Sequence, residues 1–170
     1  SIKDKNYLNN IKNSLFKKKI FEIDFVPGWC MYLNMNDIKK MNYFDKNFFL
    51  YFEDTDLCKR LKNLNRKLFV LGNIKIRHVF GSSVDHKDKF EIHLVRNWHL
   101  YWSSFYYHRK HYGFSTSFKV HFSKLLRFSF LKNYYLLINN KNLYYLFKSR
   151  FEGLMYQILN KSAFSGPKLK

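Results

Sequence analysis

The chain has 170 residues, a formal net charge of +19 and an aromatic fraction of 21%. That length holds one domain with a real core, or part of a larger one, and no run of about 18 uncharged apolar residues exists to cross a bilayer. Cys30 and Cys58 form neither a CxxC pair nor a metal-finger spacing, which excludes a disulfide framework and reads as two reduced core residues of a cytoplasmic protein.

Residues 1–20 alternate Lys and Asn with isolated apolar residues and read as a lead-in segment. Glu22 to Leu33 reads as a strand that Pro27-Gly28 breaks, turning the backbone sharply before Trp29. A short helix is predicted at 36–41 with Asn36 as its cap. An aromatic run follows, then a helix from Asp54 to Leu64 that ends near Asn65. Lys67–Leu71 and Ile74–Phe80 read as two strands around Gly72-Asn73, a hairpin signal. Beyond Gly81-Ser82-Ser83 the chain reads as helix: about 87–112, stopped by Gly113, then roughly 115–138 and 141–160. The expected layout is a lead-in at 1–20, an α/β piece at 21–85 and a helical extension at 86–170.

The charge is unevenly placed. Acids outnumber bases in residues 21–60, whereas residues 111–170 are basic with Glu152 as their one acid. A positive total calls for an anionic partner such as nucleic acid, nucleotide phosphate or an acidic membrane face. That inference is weakened by a general excess of Lys, Asn, Phe, Tyr and Ile over Ala, Gly and Pro, as a low-GC genome would produce. The acidic island and the basic tail are therefore separate features.

Within the island, Glu53, Asp54 and Asp56 stand directly behind the aromatic run Phe48-Phe49-Leu50-Tyr51-Phe52. Clustered carboxylates beside rings repel one another unless a metal, a cation or a proton compensates, so they are candidates for acid/base or metal chemistry. Acids in a helix's first turn also complement its dipole and free N–H groups, and that structural reading stands beside the chemical one. At roughly 100° per residue Asp54 falls on the side of Leu57 and Leu61 while Asp56 points away beside Arg60. Asp54 is thus expected to face inward, as a general base would.

The ordered series Gly28-Trp29-Cys30-Met31, Phe44-Asp45, Phe48-Phe49-Leu50-Tyr51-Phe52-Glu53-Asp54-Thr55-Asp56-Leu57, Arg60-Leu61, and His78 with Gly81-Ser82 resembles the C-terminal half of the inverting family 2 glycosyltransferases, closest to the rhamnosyltransferase-like branch that builds bacterial cell-surface polysaccharide. The resemblance implies a GT-A fold of the α/β class, a dTDP- or UDP-sugar donor, a glycan or lipid-linked acceptor and a divalent metal, Mn or Mg. It implies Asp54 as the base that deprotonates the acceptor hydroxyl, with Glu53, Asp56, Trp29, Gly28 and Ser82 orienting or binding the acceptor. His78 is implied as a metal ligand, beside its reading as a structural histidine. Trp29 has two readings, a stacking platform for a sugar ring and a buried core residue. The other six histidines read as surface or packing residues.

In that family the nucleotide-binding units and the Asp-x-Asp metal motif lie upstream, and residues 1–20 hold neither. The resemblance therefore implies half an enzyme, acceptor face and base without the donor half, inactive alone. Its place would be the cytoplasm, at the inner face of the membrane, where a basic and aromatic tail suits anionic lipid. Two alternatives belong to other classes. A basic nucleic-acid-binding module fits the charge and rings, but no helix-turn-helix, RRM or KH signature is present. A non-catalytic scaffold remnant is the other.

Overall fold

The computed structural model describes residues 20–77 and 89–167. The described chain is mostly helical. In order it forms β1 (Ile20–Ile23), α1 (Met35–Lys40), α2 (Glu53–Asn63), β2 (Leu68–Leu71), α3 (Lys89–Tyr112), α4 (Phe114–Leu137), α5 (Lys141–Ile158) and a closing 3-10 turn (Ala163–Ser165). It divides into two compact units, one holding described residues 20–44 and 54–77, the other 45–53 and 89–167.

The expected GT-A α/β fold is overturned. The described residues contain one two-stranded antiparallel sheet, β1 against β2 with Ile20 opposite Leu71 and Ile23 opposite Leu68, and no Rossmann-like parallel sheet. The reason is local. Pro27-Gly28 ends the predicted strand in a turn closed by Cys30 N–H on the Pro27 carbonyl, so only four residues of the first apolar run pair. On the other side of Gly72-Asn73, residues 74–77 join no ladder, and β2 takes β1 as its partner in place of a hairpin mate. The expected lead-in 1–20, apart from Ile20, and the end of the predicted strand Ile74–Phe80 lie outside the described residues.

The first unit packs Ile38, Leu57, Cys58, Leu61 and Leu68 into its core. Cys58 is buried as expected, but Cys30 is exposed, because it sits at the end of the Pro27 turn and not in a strand. Helix α1 is capped by Asn34, whose side chain accepts from Asn36 N–H, so the cap lies two residues before the predicted one.

The second unit is a bundle of α3, α4 and α5, whose bounds lie close to those predicted. One cluster gathers Trp98, Trp102 and Ala163, another Phe105, Phe128 and Leu154. Buried polar groups are satisfied on backbone carbonyls: Ser117 Oγ donates to that of Phe105 at 2.8 Å and the Trp102 indole Nε1–H to that of Lys161 at 2.9 Å. Gly153 lets α5 meet α3, since a Cβ there would stand 2.3 Å from the Trp98 carbonyl oxygen. His99 and His121 are buried in this unit, in line with a packing role.

Four helix ends follow one rule. Asn42, Asn65, Asn139 and Asn160 all take left-handed backbone, φ 55–57°, and the next residue's N–H reaches back five residues, as in Tyr43 to Ile38, Arg66 to Leu61, Asn140 to Tyr135 and Lys161 to Tyr156. This is the Schellman stop, usually made with glycine. Asparagine tolerates the left-handed region better than other side chains, and this glycine-poor chain uses it at four described helix ends, keeping glycine for Gly113 after α3.

Candidate functional site

In the first unit the Pro27–Cys30 turn and the start of α2 come together. Gly28 N–H donates to Asp54 Oδ2 at 2.9 Å, a contact between residues 26 apart in the chain. Asp54 Oδ1 accepts from Thr55 N–H at 2.7 Å and from its hydroxyl at 3.3 Å. A carboxylate oxygen has two acceptor sites, and Gly28 N–H fills one of those on Oδ2. A Cβ on Gly28 would approach Asp54 Cβ to 3.2 Å. Gly28 is thus favoured by close approach rather than by an unusual φ.

Trp29, next in the turn, is 54% exposed, which sets its core reading aside. Its indole is amphipathic and of the kind that stacks on sugar rings. Asp54 is half-buried, and Glu53 opens α2 with its Oε2 atom buried.

Asp56 departs from the expectation. It is fully buried, while the helical-angle argument placed it outward and Asp54 inward. Its Oδ2 accepts from Arg60 Nε at 2.7 Å, and the same guanidinium donates to the carbonyls of Met41 at 2.9 Å and Tyr43 at 2.8 Å. Asp56 is therefore drawn in by a cation that also holds the turn after α1, where Asn42 and Tyr43 are both left-handed. It is committed to structure. Burial pushes the Cys58 thiol pKa up, and the nearby Asp54 charge adds to this. Its sulfur instead meets the backbone of Val26, accepting from the N–H at 3.4 Å.

The residues that lead into the acids belong to the second unit. Desolvation of Asp45 is outweighed by Lys110 at 2.8 Å, Asn47 N–H at 2.9 Å and the Tyr106 hydroxyl at 3.0 Å, which together hold its carboxyl below the usual range. Ser103 Oγ donates to the Leu50 carbonyl at 2.8 Å, and Phe52 lies against Tyr107. Tyr51 and Phe52 adopt φ of 67° and 68°, a conformation that costs an aromatic residue on the order of 1–2 kcal/mol each. Two left-handed residues directly precede Glu53-Asp54. Such strain persists only where neighbours over-determine it, and the anchors of Leu50 and Phe52 do so.

Asp45, Thr55 and Arg60 stood in the motif series without a role, and the Asp45–Lys110 clasp was not foreseen. Arg60 had a visible signal, since it follows Asp56 by one helical turn. The clasp joins residues 65 apart and had none. His78 and Ser82 lie outside the described residues. The described residues bring together no group of three His, Cys, Asp or Glu that could hold a metal ion; the expected divalent metal was assigned to His78 and to an upstream motif, neither of which is among them. No described helix is long and apolar enough to cross a membrane. Comparison with protein families, with curated proteins and with solved structures finds no match to this chain.

Proposed function

We propose that this chain carries the base-bearing, acceptor-facing segment of an inverting glycosyltransferase. The observation that supports it best is the Gly28 N–H to Asp54 hydrogen bond, which brings two distant parts of the motif series together and leaves an exposed tryptophan beside a positioned carboxylate. The reading rests on this local constellation and not on a likeness of fold.

The chemistry follows from the carboxylate. A sugar hydroxyl is a poor nucleophile until its proton is leaving. Gly28 and Thr55 fix the two oxygens of Asp54, and the carboxylate receives that proton. The hydroxyl oxygen then bonds to the anomeric carbon of a nucleotide sugar, while the bond to the diphosphate breaks and takes its electron pair with it. Inversion is the consequence of this single displacement. Trp29 would hold the acceptor ring by stacking, and Asp56 with Arg60 would keep the start of α2 in place. Donor and metal would be met by residues other than those described.

Asp54→Asn in the native gene tests the reading. An amide keeps the size and one of the two backbone hydrogen bonds, from Gly28 or from Thr55, but cannot take a proton. Transfer from labelled dTDP- and UDP-sugars to lipid-linked acceptor in cell membranes should fall by about 10²–10⁴, with surface glycan lost and the protein still folded. Near-normal transfer by this variant would sink the assignment.

A further inference from the structure

We infer that the outer face of α4 docks on an anionic lipid bilayer, lying in its interface. Helix α4 buries Ser117, His121 and Phe128. At roughly 100° per residue, the opposite side carries Phe122, Leu126, Phe130 and Leu137. All four are exposed, Phe130 at 67% and Leu137 at 85%. Side chains of this size in one line on a helix are not the scattered exposed apolar residues that any surface shows.

Charge selects the occupant. Lys119 falls within the same face and Arg127 along its edge, both exposed, and no acid occurs between Gly113 and Phe151. Single-stranded nucleic acid prefers flat rings for stacking, whereas Leu126 and Leu137 offer aliphatic bulk suited to acyl chains. A helix of 24 residues that sets exposed apolar side chains among cations and no acids, and is too polar to span, suits the interface of an anionic bilayer. The apolar line would sink to the acyl boundary and the cations would meet headgroup phosphates. This inference does not depend on glycosyl transfer, and either can fail alone.

Co-sedimentation of the 170-residue chain with vesicles tests it, using phosphatidylcholine with and without phosphatidylglycerol at low and high salt. Binding is expected only with phosphatidylglycerol and should weaken with salt. Lys119→Gln with Arg127→Gln should weaken it by about 20–30-fold, at roughly fivefold per cation. Leu126→Ser with Phe130→Ser should weaken it by about tenfold or more. Circular dichroism is expected to match the native chain in both, since the four positions are exposed. Equal binding to neutral vesicles, or native binding by either double variant, overturns the inference. So does a native dimer that the Leu126/Phe130 variant converts to monomer with vesicle binding unchanged. Binding to a single-stranded oligonucleotide with none to vesicles overturns it as well.

Discussion

The two units solve the same problem with different materials. The unit of residues 20–44 and 54–77 has a small aliphatic core and relies on polar anchors: Asp56 with Arg60, Arg66 on Asp37 at 2.8 Å, and Gly28 on Asp54. The unit of residues 45–53 and 89–167 packs rings between long helices, with Trp98, Trp102, Phe105 and Phe128 buried. Polar anchoring fixes direction as well as position, because a hydrogen bond is lost within a few tenths of an ångström where a ring contact merely loosens. That is the better material for holding a reactive carboxylate, and the candidate base lies in the polar unit.

Removing its central ion pair should have the largest effect. Asp56→Ala leaves Arg60, whose side chain is only 17% exposed, without its carboxylate, and losing one partner of a buried pair costs about 3–5 kcal/mol. Because Arg60 also holds the Met41 and Tyr43 carbonyls, amide exchange should quicken in α2 and in the turn after α1 together. Urea unfolding gives the size of the loss and exchange its place. A loss below about 1 kcal/mol would mean that the aliphatic core, not the ion pair, carries this unit.

The same contrast explains what the sequence could tell. The helices α3, α4 and α5 were legible because their signals are local: Gly113, the Asn140 cap, whose side chain accepts from Leu143 N–H, and continuous apolar periodicity. The meeting of Gly28 with Asp54 was foreshadowed only by the motif series, as no local rule pairs residues 26 apart. The orientation of Asp56 was misread because helical angle takes the inward direction from Leu57 and Leu61 alone. It ignores the turn at residues 41–43, which lies over the helix and whose carbonyls pull Arg60, and Asp56 with it, out of water. The expected hairpin at Gly72-Asn73 failed for a similar reason, since residues 74–77 have strand composition but no partner among the described residues.

Acid should act mainly on the second unit. Every described histidine belongs to it, and burial lowers His99 and His121 to about 4 from 6.5. Both are neutral in the fold. Their contribution to stability is full above pH 6.5, where the unfolded chain is neutral too, and it declines as pH falls from 6.5 to 4 because the unfolded chain binds the protons first. The loss is at most about 3 kcal/mol for each. Thermal melts across this range should show it, with the His99 and His121 ring signals titrating near pH 4. Melting that stays flat from pH 6.5 to 4 would refute the assignment.

The smallest effects should come from two glycines that play one role in different settings. At Gly153 an added Cβ would lie 2.3 Å from the Trp98 carbonyl oxygen, closer than any real contact. Backbone cannot swing aside as a side chain can, so α5 must move off α3, and Gly153→Ala should cost about 1–3 kcal/mol, the range for overpacked cores. At Gly28 the added Cβ meets Asp54 Cβ at 3.2 Å, a contact that a few tenths of an ångström relieve. Gly28→Ala should therefore cost less than about 1 kcal/mol in denaturant unfolding. Its effect should appear elsewhere, because the displacement falls on the Gly28 N–H to Asp54 bond that orients the candidate base, and misplacing a reacting group is costly to rate. The expected pattern is a variant close to native in stability but impaired in sugar transfer, against a Gly153→Ala protein that loses both in proportion. If Gly28→Ala proved as unstable as Gly153→Ala while any folded fraction kept native activity, the turn at Pro27–Cys30 would be a packing device and its contact with Asp54 incidental.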